Sequence, residues 1–174
     1  MQEKQLSFYD MRPDSKATAE KIKTNRKPIS LLLDRMTDPR NVGSIFRLAD
    51  AALIEHIYFY RCEGLEITAK IKRISRSTTQ VVPYSHLKDL EAVKALKKTH
   101  NLIALEYTNQ SIPYTDFKPT GKTMLVIGNE QRGVSEELLA VTEQSIHLPM
   151  LGMNTSMNVM CATGIAVYGL LMKL

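Results

Sequence analysis

A chain of 174 residues with 44% hydrophobic and 24% charged residues has the make-up of an ordinary soluble domain with a substantial apolar core. The 23 Lys and Arg outnumber 18 Asp and Glu, and the resulting charge of +5 suits a polyanionic partner, although solubility alone accounts for such a value. Only two cysteines occur, Cys62 and Cys161, and the four histidines have no ligand spacing, which argues against a disulfide framework and against any metal site.

The chain starts Met1-Gln2-Glu3-Lys4 without an apolar signal segment, so a cytoplasmic location is expected. Residues 1–28 are polar and charged and read as a basic, partly helical extension ahead of one domain over 29–174. Alternation then sets in, with Ile29–Leu33 as a strand, Val42–Ala52 as a helix and Ile57–Tyr60 as a second strand. The basic stretch Lys70–Arg76, helix or loop, precedes a third strand over Val81–Tyr84. An amphipathic helix over Leu87–Lys98 follows, burying Leu87, Leu90, Val93 and Leu96. The short apolar runs Leu102–Leu105 and Met124–Ile127 suit central strands of a mostly parallel sheet, buried on both faces. Ser135 is the expected N-cap of a short helix through Val141, Ile146–Leu148 the last strand, and Ser156–Leu171 the closing helix. The longest apolar run, Val159 to Met172, is broken by Thr163 and falls short of the ~20 residues a bilayer crossing needs, so no membrane partner is expected. The fold class is therefore α/β, and polar or Gly-rich turns follow Leu33, Ile127 and Leu148, where ligands of open α/β sheets sit.

Three polar motifs stand at or near those turns. The first is Asp38-Pro39-Arg40-Asn41-Val42-Gly43-Ser44-Ile45-Phe46-Arg47, in which Asn41 has the character of a helix N-cap and Arg47 lies nearly two turns on. Alone, it reads as an ordinary cap with a surface arginine. The second, Gly128-Asn129-Glu130-Gln131-Arg132-Gly133, directly follows an apolar strand; its glycines permit close backbone approach to a ligand. It is not a phosphate-binding loop, because Val134-Ser135 stand where the Lys and Ser/Thr are required, and no G-x-G-x-x-G occurs. The third runs from Ile146 through His147, Leu148 and Pro149 to Ser156-Met157-Asn158. Asn158 is an amide at the start of an apolar helix and must be hydrogen-bonded if buried, since an unpaired one costs on the order of 1–3 kcal/mol. It either ties the loop together or faces a site. The Met150, Met153, Met157 and Met160 spacing reads as gap-filling in a core, and His147 as a satisfied strand residue.

In this order, Asn41-x-Gly43-x-x-x-Arg47, Gly128-x-Glu130-x-x-Gly133 and Leu148-Pro149-Met150 through Ser156-Met157-Asn158-Val159 resemble the three motifs of the SpoU/TrmH RNA ribose 2′-O-methyltransferases, over Ile29 to the C-terminus. The resemblance implies the SPOUT fold: a mostly parallel sheet with helices on both faces and a C-terminal trefoil knot that forms the cofactor pocket. General topology rules disfavour knots, so the knot is an implication of the resemblance alone. It further implies S-adenosylmethionine as cofactor, held among Leu105, Gly128, Leu148, Ser156 and Met157, and a homodimer in which the last helix takes part. Arg47, Asn41, Glu130, Ser156 and Asn158 are the implied catalytic set. Arg47 is the residue proposed as base in related enzymes, a demanding role for a guanidinium, which is effectively always protonated; base and electrostatic stabiliser both stay open. One departure is Arg76-Ser77-Thr78-Thr79, where many relatives carry a Gly-Ala pair.

The 28 residues before Ile29 are too few for a separate RNA-binding domain, which brings the chain closer to compact members that modify tRNA than to those that modify rRNA. Arg12, Lys16, Lys21, Lys23, Arg26 and Lys27, with Lys70, Lys72, Arg73 and Arg76, are the candidate phosphate contacts; each alone reads equally as a solvated charge. The competing expectations are an rRNA enzyme, a non-catalytic RNA-binding or assembly protein of the same fold, and a nucleotide-binding α/β enzyme of another type.

Overall fold

The structure, a computed structural model, describes residues 3–6, 20, 22, 24–63 and 65–174. The extension expected over 1–28 falls largely outside them, as do Arg12, Lys16, Lys21 and Lys23. The described elements are β1 (Lys27–Asp34), α1 (Pro39–Ala51), β2 (Ile54–Tyr60), α2 (Ala69–Ile74), a 3-10 turn Thr78–Gln80, β3 (Tyr84–Leu87), α3 (Leu90–Leu96), β4 (Asn101–Leu105), β5 (Ile112–Pro113), β6 (Thr123–Ile127), α4 (Glu136–Leu139), β7 (Gln144–His147) and α5 (Val159–Leu171).

The strands form one seven-stranded sheet in the order β3-β2-β1-β6-β4-β7-β5, and every pairing is parallel. Alternate side chains of β1 point to opposite faces. Ile29, Leu31 and Leu33 pack in one cluster with Ile45 and Phe46 of α1, Ile71 of α2 and Val167 and Leu170 of α5. Leu32 joins a second cluster with Val93 of α3 and Leu138 of α4. Helices thus cover both faces, which explains why β1 and β6 read as continuous apolar runs. Strand β6 lies between β1 and β4, with Leu33 and Leu105 both level with Ile127. The carboxyl ends of three central strands therefore open at one edge, where strand order switches.

Several element limits differ from those the sequence predicts. Helix α1 is capped by Asp38, whose side chain accepts from the Arg40 N–H, with Pro39 at the first helical position. Asn41 is consequently inside the first turn and buried, not at the cap; an Asp-Pro pair is the stronger start signal. The third strand is Tyr84–Leu87 rather than Val81–Tyr84, because Pro83 has no N–H for a ladder. Helix α3 then begins only after its cap Asp89, so Leu87 is a strand residue. Ser135 sits at the expected cap position but its side chain makes no capping bond, and α4 ends at Leu139. The last strand ends at His147, and the last helix starts at Val159 with Asn158, not Ser156, at its cap. The two-residue β5 has no sequence signal.

Candidate active site

The three motifs meet through side chains. Asn158 accepts from the Met160 and Cys161 N–H groups at 2.9 and 3.4 Å with its Oδ1, which caps α5. That fixes its amide nitrogen as the outward group, and it donates to Asn41 Oδ1 at 3.3 Å. Asn41 must then present its own Nδ2 to the other side, where it donates to Glu130 Oε1. Capping one helix therefore orients a hydrogen-bonded chain that joins α5, α1 and the loop after β6. The first turn of α1 is set by Asp38; its carboxyl is held below the usual carboxylate range, first by the side-chain hydrogen bond from Arg40. Gly43 has a packing role: a Cβ there would lie 2.7 Å from Ile74, so its absence lets α2 lie against α1.

The loop after β6 is a closed turn. Asn129 and Gly133 exchange backbone hydrogen bonds of 3.1 and 2.9 Å, and Asn129 Oδ1 accepts from the Gln131 and Arg132 N–H groups. A Cβ on Gly128 would stand 2.1 Å from the Gly133 carbonyl carbon, and Gly133 has φ +63, so both positions require glycine. Two carboxylates anchor the exit: Glu106 Oε2 accepts from the Val134 N–H at 2.8 Å, and the buried Asp34 from the Ser135 N–H at 2.7 Å.

Two adjoining clefts open at this edge. One, of about 120 Å³, is lined by Leu105, Leu148, Ser156 and Met157 together with Tyr107 and His147. The other, of about 200 Å³, is lined by Leu105, Met157, Gly128 and Glu130. The five residues expected to hold the cofactor all line one or both, and Glu106 lines both. His147 is indeed satisfied, bonded to Ser111 Oγ at 2.9 Å and against the Tyr107 ring at 4.4 Å, while also facing the first cleft. A larger cleft of about 560 Å³ lies at the amino ends of β1 and β2, beside Arg26, Glu55 and Pro83. It shares no residue with the motifs, and the chemistry follows the convergent polar groups rather than the volume.

A family model for the SpoU rRNA methylase family matches residues 28–168. The chain belongs to the SpoU family. Its SpoU core is 29% identical over 156 residues to a tRNA (guanosine(18)-2′-O)-methyltransferase of Aquifex aeolicus, covering 88% of this chain and 73% of that protein. It is 30% identical over 152 residues to the 23S rRNA (guanosine-2′-O-)-methyltransferase RlmB of Pasteurella multocida, covering 84% of this chain and 61% of the relative. Among solved structures, the SpoU methyltransferase AviRb of Streptomyces viridochromogenes, in complex with the cofactor AdoMet, matches with a TM-score of 0.72 at 25% identity, covering 86% of this chain and 62% of that one.

Within this candidate site, Arg47 stands apart. It is exposed, and no described residue gives it a hydrogen bond or ion pair. Six residues along a helix turn it roughly 120° away from Asn41. Ser156 is exposed at the rim of the first cleft. Of the basic residues expected to meet RNA, Lys27, Arg73 and Arg76 are exposed. Arg26 instead donates to the carbonyls of Ile54 and Val81, and burial pushes its pKa down against the raising effect of Asp50. Sequence reasoning missed Asp34 and Glu106. Glu106 had a usable signal, a lone carboxylate straight after the apolar run Leu102–Leu105; Asp34 had the same position after the run Ile29–Leu33.

Proposed function

We propose that this chain transfers the methyl group of S-adenosylmethionine to a ribose 2′-hydroxyl of RNA, with tRNA preferred over rRNA. The observation that carries the reading is the Asn158–Asn41–Glu130 chain at the edge of the two clefts. The clefts fit the cofactor: Leu105, Leu148 and Met157 offer apolar walls beside the glycine turn at Gly128, and Ser156 and Glu130 add polar groups. Bound there, S-adenosylmethionine would supply an electrophilic methyl carbon: the ribose oxygen would form the new C–O bond as the C–S bond breaks, with S-adenosylhomocysteine leaving and the hydroxyl proton passing to solvent water. Asn41 and Glu130 hold the ribose side of the site in register, Ser156 offers a hydroxyl at the cofactor rim, and Asn158 fixes both through its cap. Arg47, in water and charged, stabilises negative charge on the attacking oxygen or the neighbouring phosphate; taking the proton directly would require it to give up that charge.

The same reading includes a homodimer, a cytoplasmic location and the family's trefoil knot. The knot accords with the path of residues 151–158, an exposed loop that carries Asn158 from β7 back to α1. The basic residues within 1–28, with Arg73 and Arg76, supply phosphate contacts, and the tRNA preference rests on the likeness to the Aquifex relative. Incubation of the full chain with methyl-labelled S-adenosylmethionine and separated unmodified tRNA and rRNA pools tests it. Label is expected in tRNA, with a loss on the order of 100-fold in Arg47→Ala, the size typical of removing one transition-state stabiliser. Label confined to rRNA would overturn the tRNA preference. Cofactor binding with transfer to neither pool would make this a binding protein.

A further inference from the structure

A further cleft, of about 350 Å³, lies beside the loop after β6, between Arg35, Arg61 and Arg132. Parallel strands β1 and β2 end level with each other, Asp34 opposite Tyr60, and the next residue of each is an arginine with positive φ, 52 for Arg35 and 50 for Arg61. Such a conformation favours glycine or asparagine, so two neighbouring strands both end on a long cationic side chain at a steric cost. Strain of this kind concentrates at functional sites.

The three guanidiniums are engaged to different degrees. Arg35 donates to the Gly133 carbonyl at 3.2 Å and lies 3.4 Å from the fully buried Asp34, which fixes it against the loop. Arg61 covers the Tyr60 ring at 5.4 Å and pairs with Glu137 at 2.7 Å, yet its side chain is 54% exposed. The Arg132 side chain is exposed and has no hydrogen bond or ion pair to a described residue. Glu63 is the one carboxylate lining the cleft, and the remaining lining residues, Thr37, Asn129 and Gln131, are uncharged. An exposed ion pair such as Arg61–Glu137 contributes little and exchanges readily for a stronger partner. A phosphate diester is such a partner, because it matches the guanidinium fork. Asn129 and Gln131 of this cleft flank Glu130 in the chain, so the cleft adjoins the Asn41–Glu130 pair.

We propose that this arginine cleft holds the RNA backbone phosphate next to the nucleotide presented to Asn41 and Glu130, with Arg132 and Arg61 as its ligands and Arg35 as the residue that positions the loop. This rests on the RNA methyltransferase reading and adds the subsite that orients the substrate strand.

The test is RNA affinity of the full chain for bulk tRNA across a salt series, in the unchanged protein, Arg132→Ala, Arg61→Ala and the control Lys98→Ala at the opposite end of the sheet, with cofactor affinity and melting temperature measured alongside. Each cleft variant is expected to weaken tRNA binding about 3- to 10-fold and to flatten the slope of log affinity against log salt by roughly 0.7–0.9, the change that follows when one phosphate is no longer neutralised. Cofactor affinity should not change, and Lys98→Ala should behave as the unchanged protein. Cleft variants that keep the parental slope, or that only lower the melting temperature, would overturn the proposal while leaving methyl transfer intact. An arginine-dependent slope without any methyl transfer would sink the enzymatic reading and leave the cleft standing. If the unchanged protein bound no tRNA, the cleft proposal and the tRNA preference would both fall.

Discussion

At the residue scale, one capped helix orders the site. Asn158 has a single orientation because α5 needs its oxygen, and Asn41 inherits its orientation from Asn158. Asn41→Ala would leave the Asn158 amide and the Glu130 carboxylate without that partner; both are exposed and turn to water, so the loss is about 1 kcal/mol. The melting temperature should fall by several degrees, since about 1 kcal/mol shifts a domain of this size by roughly 2–4 °C. Methyl transfer should fall on the order of 10-fold or more while cofactor affinity changes little, because neither Leu105 nor Leu148 depends on Asn41; steady-state kinetics with parental kcat/KM would refute the coupling. Asn158 stood out in the sequence as an amide at the start of an apolar helix; it is exposed, and capping rather than burial gives it its partners. The position of Asn41 was misread: Asp38 followed by Pro39 is the stronger start signal and puts Asn41 inside the first turn. Glu106 was overlooked because its partner, the Val134 N–H, is 28 residues away.

At the element scale, apolar periodicity located most strands and helices to within a few residues. It failed where local rules compete, as at Pro83, or where a segment is too short to show a period, as at β5. Helix α5 shows another limit. Its sequence is apolar nearly all round, so it carries no sign of which face meets its own core. Ala166, Val167 and Leu170 are buried, whereas Ile165, Tyr168 and Met172 remain 43%, 49% and 86% exposed. Spaced three and four residues apart, these three share one face, and a second copy of the chain is the occupant that the proposed homodimer supplies. Analytical ultracentrifugation should give a two-chain particle for the unchanged protein and a single chain for Ile165→Asp combined with Tyr168→Asp. A monomer in the unchanged protein at micromolar concentration would remove the dimer from the account.

At the scale of the whole molecule, function depends on contacts that no local pattern reports. Strand β6 enters between β1 and β4, and Asn41 reaches Glu130 and Asn158 across 89 and 117 residues of chain. Hydrophobic patterning shows that parallel strands exist and cannot say which lie side by side; the order of the three motifs along the chain supplied that expectation through family resemblance. All five expected cofactor residues lie together, as do three of the five in the catalytic set, while Arg47 stands outside the hydrogen-bonded chain. The central claim is that this assembled edge aligns a ribose oxygen for methylation. The most direct measurement is nucleoside mass spectrometry of tRNA incubated with the protein and isotopically labelled S-adenosylmethionine. The account predicts label on a ribose 2′-oxygen; label on a base atom, or none in any RNA, would contradict it.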